Sequence, residues 1–188
     1  MPLPAGADRE EVHLRRIECR GYRRADGLWD IDARMTDTNR YDQIMGAADA
    51  STVIHDMWLR LTVDEDLVVH DVVAVPDTTP YSMCPDAAAP MSVLKGLKIG
   101  AGWNAEVRRR LPRAAGCTHL IELLGPAATT AYQTLAPFRR GRPDVLDRSG
   151  RPTKIDSCFA YASGSDVVRE RWPAFYTGPR AKSPGEGR

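Results

Sequence analysis

The stretch that decides the fold is Met57-Trp58-Leu59-Arg60-Leu61-Thr62-Val63-Asp64-Glu65-Asp66-Leu67-Val68-Val69-His70-Asp71-Val72-Val73-Ala74-Val75. Met57, Leu59, Leu61 and Val63 alternate with Trp58, Arg60, Thr62 and Asp64, which is the period-two pattern of a strand with one buried face. Asp64-Glu65-Asp66 supplies a polar turn, and residues 67–75 return as a strand that is apolar at several positions on both faces. The stretch is therefore a β-hairpin. Upstream, residues 12–20 read as a strand, Ala25-Asp26-Gly27 as a turn, and residues 28–37 as an alternating strand with Trp29, Ile31, Ala33 and Met35 on its apolar face.

Beyond the second hairpin the period changes. Residues 78–90 are turn-like, with Pro80, Pro85 and Pro90, and helical periodicity takes over at 91–97 and 104–111. From Thr118 onward, Leu120, Leu124, Ala127, Ala131 and Leu135 form a stripe at helical spacing that predicts burial against a core. Pro126 removes one backbone donor within that stripe, so a kink or restart is expected there. Residues 137–153 read as an exposed loop, 155–162 as a strand and 167–175 as a short helix ended by Trp172-Pro173. Two hairpins followed by helices make an α+β domain, an antiparallel sheet with helices packed on one face. The expected folded span is 11–176, with residues 1–10 and 177–188 too poor in apolar side chains to fold.

The chain has 188 residues, and its 26 Lys plus Arg against 25 Asp plus Glu give a formal charge of +1. Such a balance supplies no field to gather nucleic acid or an anionic membrane surface. No apolar run approaches the roughly 18–20 residues that span a bilayer. The opening residues lack the basic start and apolar core of a signal peptide, so a cytoplasmic location is expected. Disulfides are then not expected, and Cys19, Cys84, Cys117 and Cys158 contain no closely spaced pair.

His55 and Asp56 precede the strand at Met57, and the hairpin returns the chain to the same sheet end just before Cys84. Cys117 and His119 flank Thr118 at a helix start, where free backbone donors favour a thiolate. Thiolate, imidazole and carboxylate together are the donor set of zinc, and also of iron. The expected metal ligands are His55, Cys84, Cys117 and His119, with Asp56 as ligand or general base. Without metal, Cys117 is the expected nucleophile and His119 or His55 its base, so the catalytic set is Asp56, Cys117 and His119. Trp29, Trp58, Tyr81 and Trp103 are the candidate wall of a pocket for a small aromatic or acyl substrate. Cys19 and Cys158 read as core residues, and His13 and His70 as solvated or locally satisfied. The Arg/Asp-rich turn at 21–30 reads as locally paired, and Arg108-Arg109-Arg110 as an outer helix face. No dinucleotide, Walker or HExxH motif is present.

Gly-Tyr-Arg-Arg at 21–24, Asp-Gly-Leu-Trp-Asp-Ile at 26–31, Ile-His-Asp-Met-Trp-Leu-Arg-Leu-Thr-Val-Asp at 54–64, Pro-Tyr at 80–81 with Cys84, and Gly-Cys-Thr-His-Leu-Ile-Glu-Leu-Leu at 116–124 resemble a bacterial domain-of-unknown-function family, number 2889. That resemblance spans about residues 10–175 and implies no activity. Residues 54–135 are also similar to the NifU-like iron–sulfur scaffold fold. There Ile54-His55-Asp56 stands at a Cys-Gly-Asp, Cys84 at the loop cysteine, and Cys117 with His119 near the last ligand. One cysteine is missing from that pattern. Two functions follow as expectations: a small enzyme with a Cys/His/Asp metal or reactive-thiol site, or a non-catalytic module that carries a metal or iron–sulfur cluster or binds a ligand. The expected partners are a small-molecule substrate and further copies of the chain in a homo-oligomer.

Overall fold

The structure, a computed structural model, describes residues 3, 4, 6–40 and 52–179. Both hairpins form. Strands β1 (His13–Arg23), β2 (Trp29–Asn39), β3 (Thr52–Val63) and β4 (Val69–Thr78) pair antiparallel in the order β1-β2-β3-β4. The first turn closes where Gly27 takes a positive φ of 87° and Asp26 Oδ1 accepts the Leu28 amide. In the second, Asp64 Oδ1 accepts the Asp66 and Val68 amides, while Leu67 adopts φ 65° with its side chain buried.

The alternation read from the sequence sets the two faces. Trp29, Ile31, Ala33 and Met35 of β2 lie across from Val63, Leu61, Leu59 and Met57 of β3, and all eight are buried. Helix α1 (Trp103–Arg110) follows, and helix α2 (Thr118–Leu135) packs across β1, β2 and β3 on that face. The expected stripe of Leu120, Leu124, Ala127, Ala131 and Leu135 is buried. Pro126 does not restart the helix: α2 runs through it as one element. Gly21 faces α2, and a Cβ there would lie 2.0 Å from the Thr134 hydroxyl.

Between β4 and α1 the expected helix at 91–97 is replaced by a 3₁₀ helix over Cys84–Leu94. Pro85 and Pro90 cannot donate, which favours short tight turns over a continuous i→i−4 ladder. Residues 96–99 then run alongside the start of β4, with Val69 N donating to Leu97 O at 2.8 Å and Gly96 N to Val69 O at 2.8 Å.

Where one folded span over 11–176 is expected, the chain groups into two compact units, Met1–Arg139 and Arg140–Arg188. The second contains helix α3 (Asp166–Arg171), stopped as expected at Trp172-Pro173. It has no strand at 155–162. That stretch is turns and a 3₁₀ helix, Phe159–Tyr161, and Cys158 is exposed instead of core. Asp156 turns the chain with φ 63°, donating its amide to Tyr161 O and accepting from Ser163 N at 2.8 Å. Such local side-chain bonds compete with a ladder. Residues 3, 4 and 6–10 carry no helix or strand, and of the expected tail, residues 180–188 lie outside the described residues. Among the described residues no helix is long and apolar enough to cross a membrane.

The fold assigns Leu124 to the centre of the helix–sheet contact. Leu124→Ala is expected to lower the unfolding free energy by roughly 2–4 kcal/mol through the cavity left behind, measured by urea denaturation. A loss under about 0.5 kcal/mol would place that face outside the core.

Candidate functional site

The buried row of the sheet does not stay apolar to its end. Two residues beyond Met35, Asp37 continues the core-facing row of β2, and two residues before Met57, His55 does the same on β3. Arg15 stands across from Asp37 on β1. The strand pairing thus sets Arg15, Asp37 and His55 side by side at one end of the covered face. Helix α2 begins over this end, with Cys117 as its N-cap residue and His119 in its first turn.

Asp37 is the centre of the cluster and only 2% exposed. Arg15 grips it with two parallel bonds, Nε to Oδ1 and Nη2 to Oδ2, each 2.7 Å. His55 Nδ1 lies 3.0 Å from Asp37 Oδ2, and His13 Nε2 lies 3.4 Å from Oδ1. The paired guanidinium holds the Asp37 carboxyl down at about 2, outweighing the burial that pushes it up. An ionised carboxylate only accepts, so the proton in the His55 contact sits on Nδ1, and Nε2 takes no part in it.

His119 lies against His55 with ring centroids 3.8 Å apart. Its proton affinity is lowered, first by burial and then by the neighbouring His55 and Arg15. It is therefore favoured as the neutral imidazole that a metal or a thiol proton requires. Cys117 Sγ lies 3.8 Å from His119 Nδ1. One donor atom each from Asp37, His55 and His119 lies within 4.8 Å of the other two, and among the described residues this is the group of three close enough to share an ion.

Of the residues expected from sequence, the structure brings together His55 and His119, with Cys117 beside His119 but outside their donor group. It separates Asp56 from them. Neighbours in a strand point to opposite faces, and Asp56 lies on the outer face, where Arg34 Nε donates to Oδ1 at 2.9 Å and Arg34 Nη2 to Oδ2 at 2.5 Å. Cys84 opens the 3₁₀ helix, half-buried, and belongs to no such donor group. The four aromatic residues do not share a wall. Trp29 and Trp103 are core residues, the latter donating Nε1 to Leu124 O at 3.3 Å. Trp58 lies on the outer face beneath the Arg34 guanidinium, 4.5 Å from its ring centroid, and Tyr81 is exposed in the loop before Cys84. A single pocket would need them on one side of the sheet.

Asp37, Arg15 and Glu122 are the members that sequence reading missed. The signal was there: Asp37 and Arg15 each fall two residues from an apolar position of a core-facing row, where an ionisable residue has to find a partner. His13 and His70 are satisfied as expected, the latter by Asp64 at 2.9 Å. Arg24 pairs locally with Asp26 and Asp30, and Arg109 with Glu106 on α1.

Because folding lowers the Asp37 pKa below its unfolded value near 3.9, its contribution is complete above about pH 4 and is lost as pH falls toward about 2. That contribution is about 2 kcal/mol by the free energy of a pKa shift. Asp37→Asn is expected to be less stable than the parent at pH 7, with the gap narrowing toward pH 2 in denaturant titrations. An equal gap at both pH values would show that the carboxylate is not held by its charge.

A family model described as Protein of unknown function (DUF2889) matches residues 13–133, which include all of this cluster. The chain belongs to that family. No curated protein and no solved structure matches it.

Proposed function

We propose that this chain is a small enzyme whose His55, His119 and Cys117 hold one zinc-class ion, with Asp37 orienting His55 from behind. The observation that carries this reading is the meeting of two imidazoles from different elements beside a buried carboxylate that is ionised at neutral pH. A carboxylate that receives the Nδ1–H of a histidine fixes its tautomer and raises the basicity of the other nitrogen, the usual support behind a metal-binding imidazole. Asp37 is better suited to that supporting role than to direct ligation, because Arg15 already occupies both of its oxygens.

The donor types suit the ion, and one edge of the set is in place, while Cys117 stands outside the group that His55 and His119 form with Asp37. With Zn–S near 2.3 Å and Zn–N near 2.0–2.1 Å, a tetrahedral edge between sulfur and nitrogen is about 3.5 Å, against 3.8 Å for Cys117 Sγ and His119 Nδ1. Two nitrogens and one sulfur suit zinc, and iron less well. Three protein donors leave a fourth position for water or a substrate oxygen, which the ion would activate as a Lewis acid. That open position favours an enzyme acting on a small molecule over a carrier, whose site would be closed by a fourth protein ligand. An iron–sulfur carrier is less supported, since the assembled group is built on histidines. We propose a cytoplasmic location as part of this reading, since four cysteines with no closely spaced pair suit a reducing compartment.

Metal analysis of the purified protein, followed by cobalt substitution, tests the reading. One equivalent of bound ion is expected, with a thiolate-to-cobalt charge-transfer band that Cys117→Ser abolishes and Cys84→Ser leaves intact. His55→Ala and His119→Ala should each weaken binding by at least about tenfold. Protein that takes up no stoichiometric ion sinks the metal reading. If Cys117 is then alkylated faster than the other three cysteines, the reactive-thiol enzyme, with His119 as base, takes its place.

A further inference from the structure

The geometry points to Arg15 as the positioning residue of this site, the group that sets both the tautomer of His55 and the seat of the helix carrying His119. The inference rests on the metal reading above for its consequence, and on the hydrogen-bond geometry for its cause.

Arg15 links three elements at once. From β1 it donates Nε and Nη2 to the two oxygens of Asp37 on β2, and Nη1 to Glu122 Oε2 on α2 at 2.6 Å. Glu122 follows His119 by three residues, so the two side chains are neighbours on one helix face. The same planar guanidinium therefore fixes the plane of the Asp37 carboxylate and ties down the first turns of α2. With its plane fixed, Asp37 presents Oδ2 to His55 Nδ1 at 3.0 Å.

The fork is what matters, beyond the charge. A guanidinium presents donors in a rigid planar array that can serve two carboxylates together, whereas an ammonium is a point charge on a flexible stem. A lysine at position 15 could pair with Asp37 or Glu122 but would leave the carboxylate plane free to turn. His55 would then sample both tautomers, and the nitrogen needed for the ion would carry a proton part of the time. A clamp with a purely structural role makes a different forecast: it would alter stability alone.

The test uses the full chain with ¹⁵N-labelled histidine, first without metal and then in zinc competition against a chelator. In the parent protein, long-range ¹H–¹⁵N spectra should show His55 protonated on Nδ1. In Arg15→Ala and Arg15→Lys a mixture of tautomers is expected, with zinc affinity weakened about 10–100-fold. The lysine variant covers the case in which alanine fails to fold. Glu122→Gln removes only the tie to the helix, and should weaken zinc binding while leaving the His55 tautomer unchanged. A parental tautomer in folded Arg15→Lys, with only the melting temperature lowered, overturns the inference. If the parent protein binds no zinc the metal reading fails, and the tautomer spectra still decide the role of Arg15.

Discussion

The constraint on which the rest of this structure depends is the pleat of β2 and β3. Because successive side chains alternate between faces, one register fixes Trp29, Ile31, Ala33 and Met35 toward Val63, Leu61, Leu59 and Met57, and slipping it by one residue would send the whole set into solvent. The amphipathic stripe of α2 has its complementary surface only in that register. The same alternation carries past the apolar residues, so Asp37 and His55 point under the helix for the same geometrical reason as their hydrophobic neighbours. The site is the polar end of the core.

Placing an ionised carboxylate there is costly unless it is paired and hydrogen-bonded. Asp37 meets that demand with a bidentate guanidinium and a histidine, so the charge is stabilised by groups that are themselves fixed in direction. On the opposite face the sheet uses the same chemistry with less at stake. Arg34 with Asp56 and Arg60 with Asp32 form cross-strand pairs whose arginines are substantially solvent-exposed, where such pairs contribute little to stability. Asp56 is itself buried, so what sets the Asp37 pair apart is the second partner it holds, the imidazole of His55.

What was legible in the sequence follows from where local pattern and tertiary packing agree. The two hairpins and the α2 stripe are visible because turn residues and periodicity point the same way. The strand expected at 155–162 is not formed, because an apolar run needs a partner to take its ladder bonds, and Asp156 and Ser163 satisfy that backbone locally. The helix expected at 91–97 overlooked the missing donors of Pro85 and Pro90. At the site, His55, Cys117 and His119 were legible as donor types near element ends. The tie between Arg15 and Glu122 was not, since 107 positions of sequence separate them and only the fold brings them together.

Asp56 shows how the pattern already contained its own correction. A histidine and an aspartate adjacent in sequence look like a pair, but in a strand adjacency guarantees separation, because the pleat puts the two on opposite sides of the sheet. The partner of His55 had to come from the neighbouring strand at the same level. Counting back from Val63 opposite Trp29 brings the pairing to Met57 opposite Met35 and then to His55 opposite Asp37. The choice between the two aspartates was thus fixed by strand register, a quantity that the apolar alternation determines before any polar residue is considered.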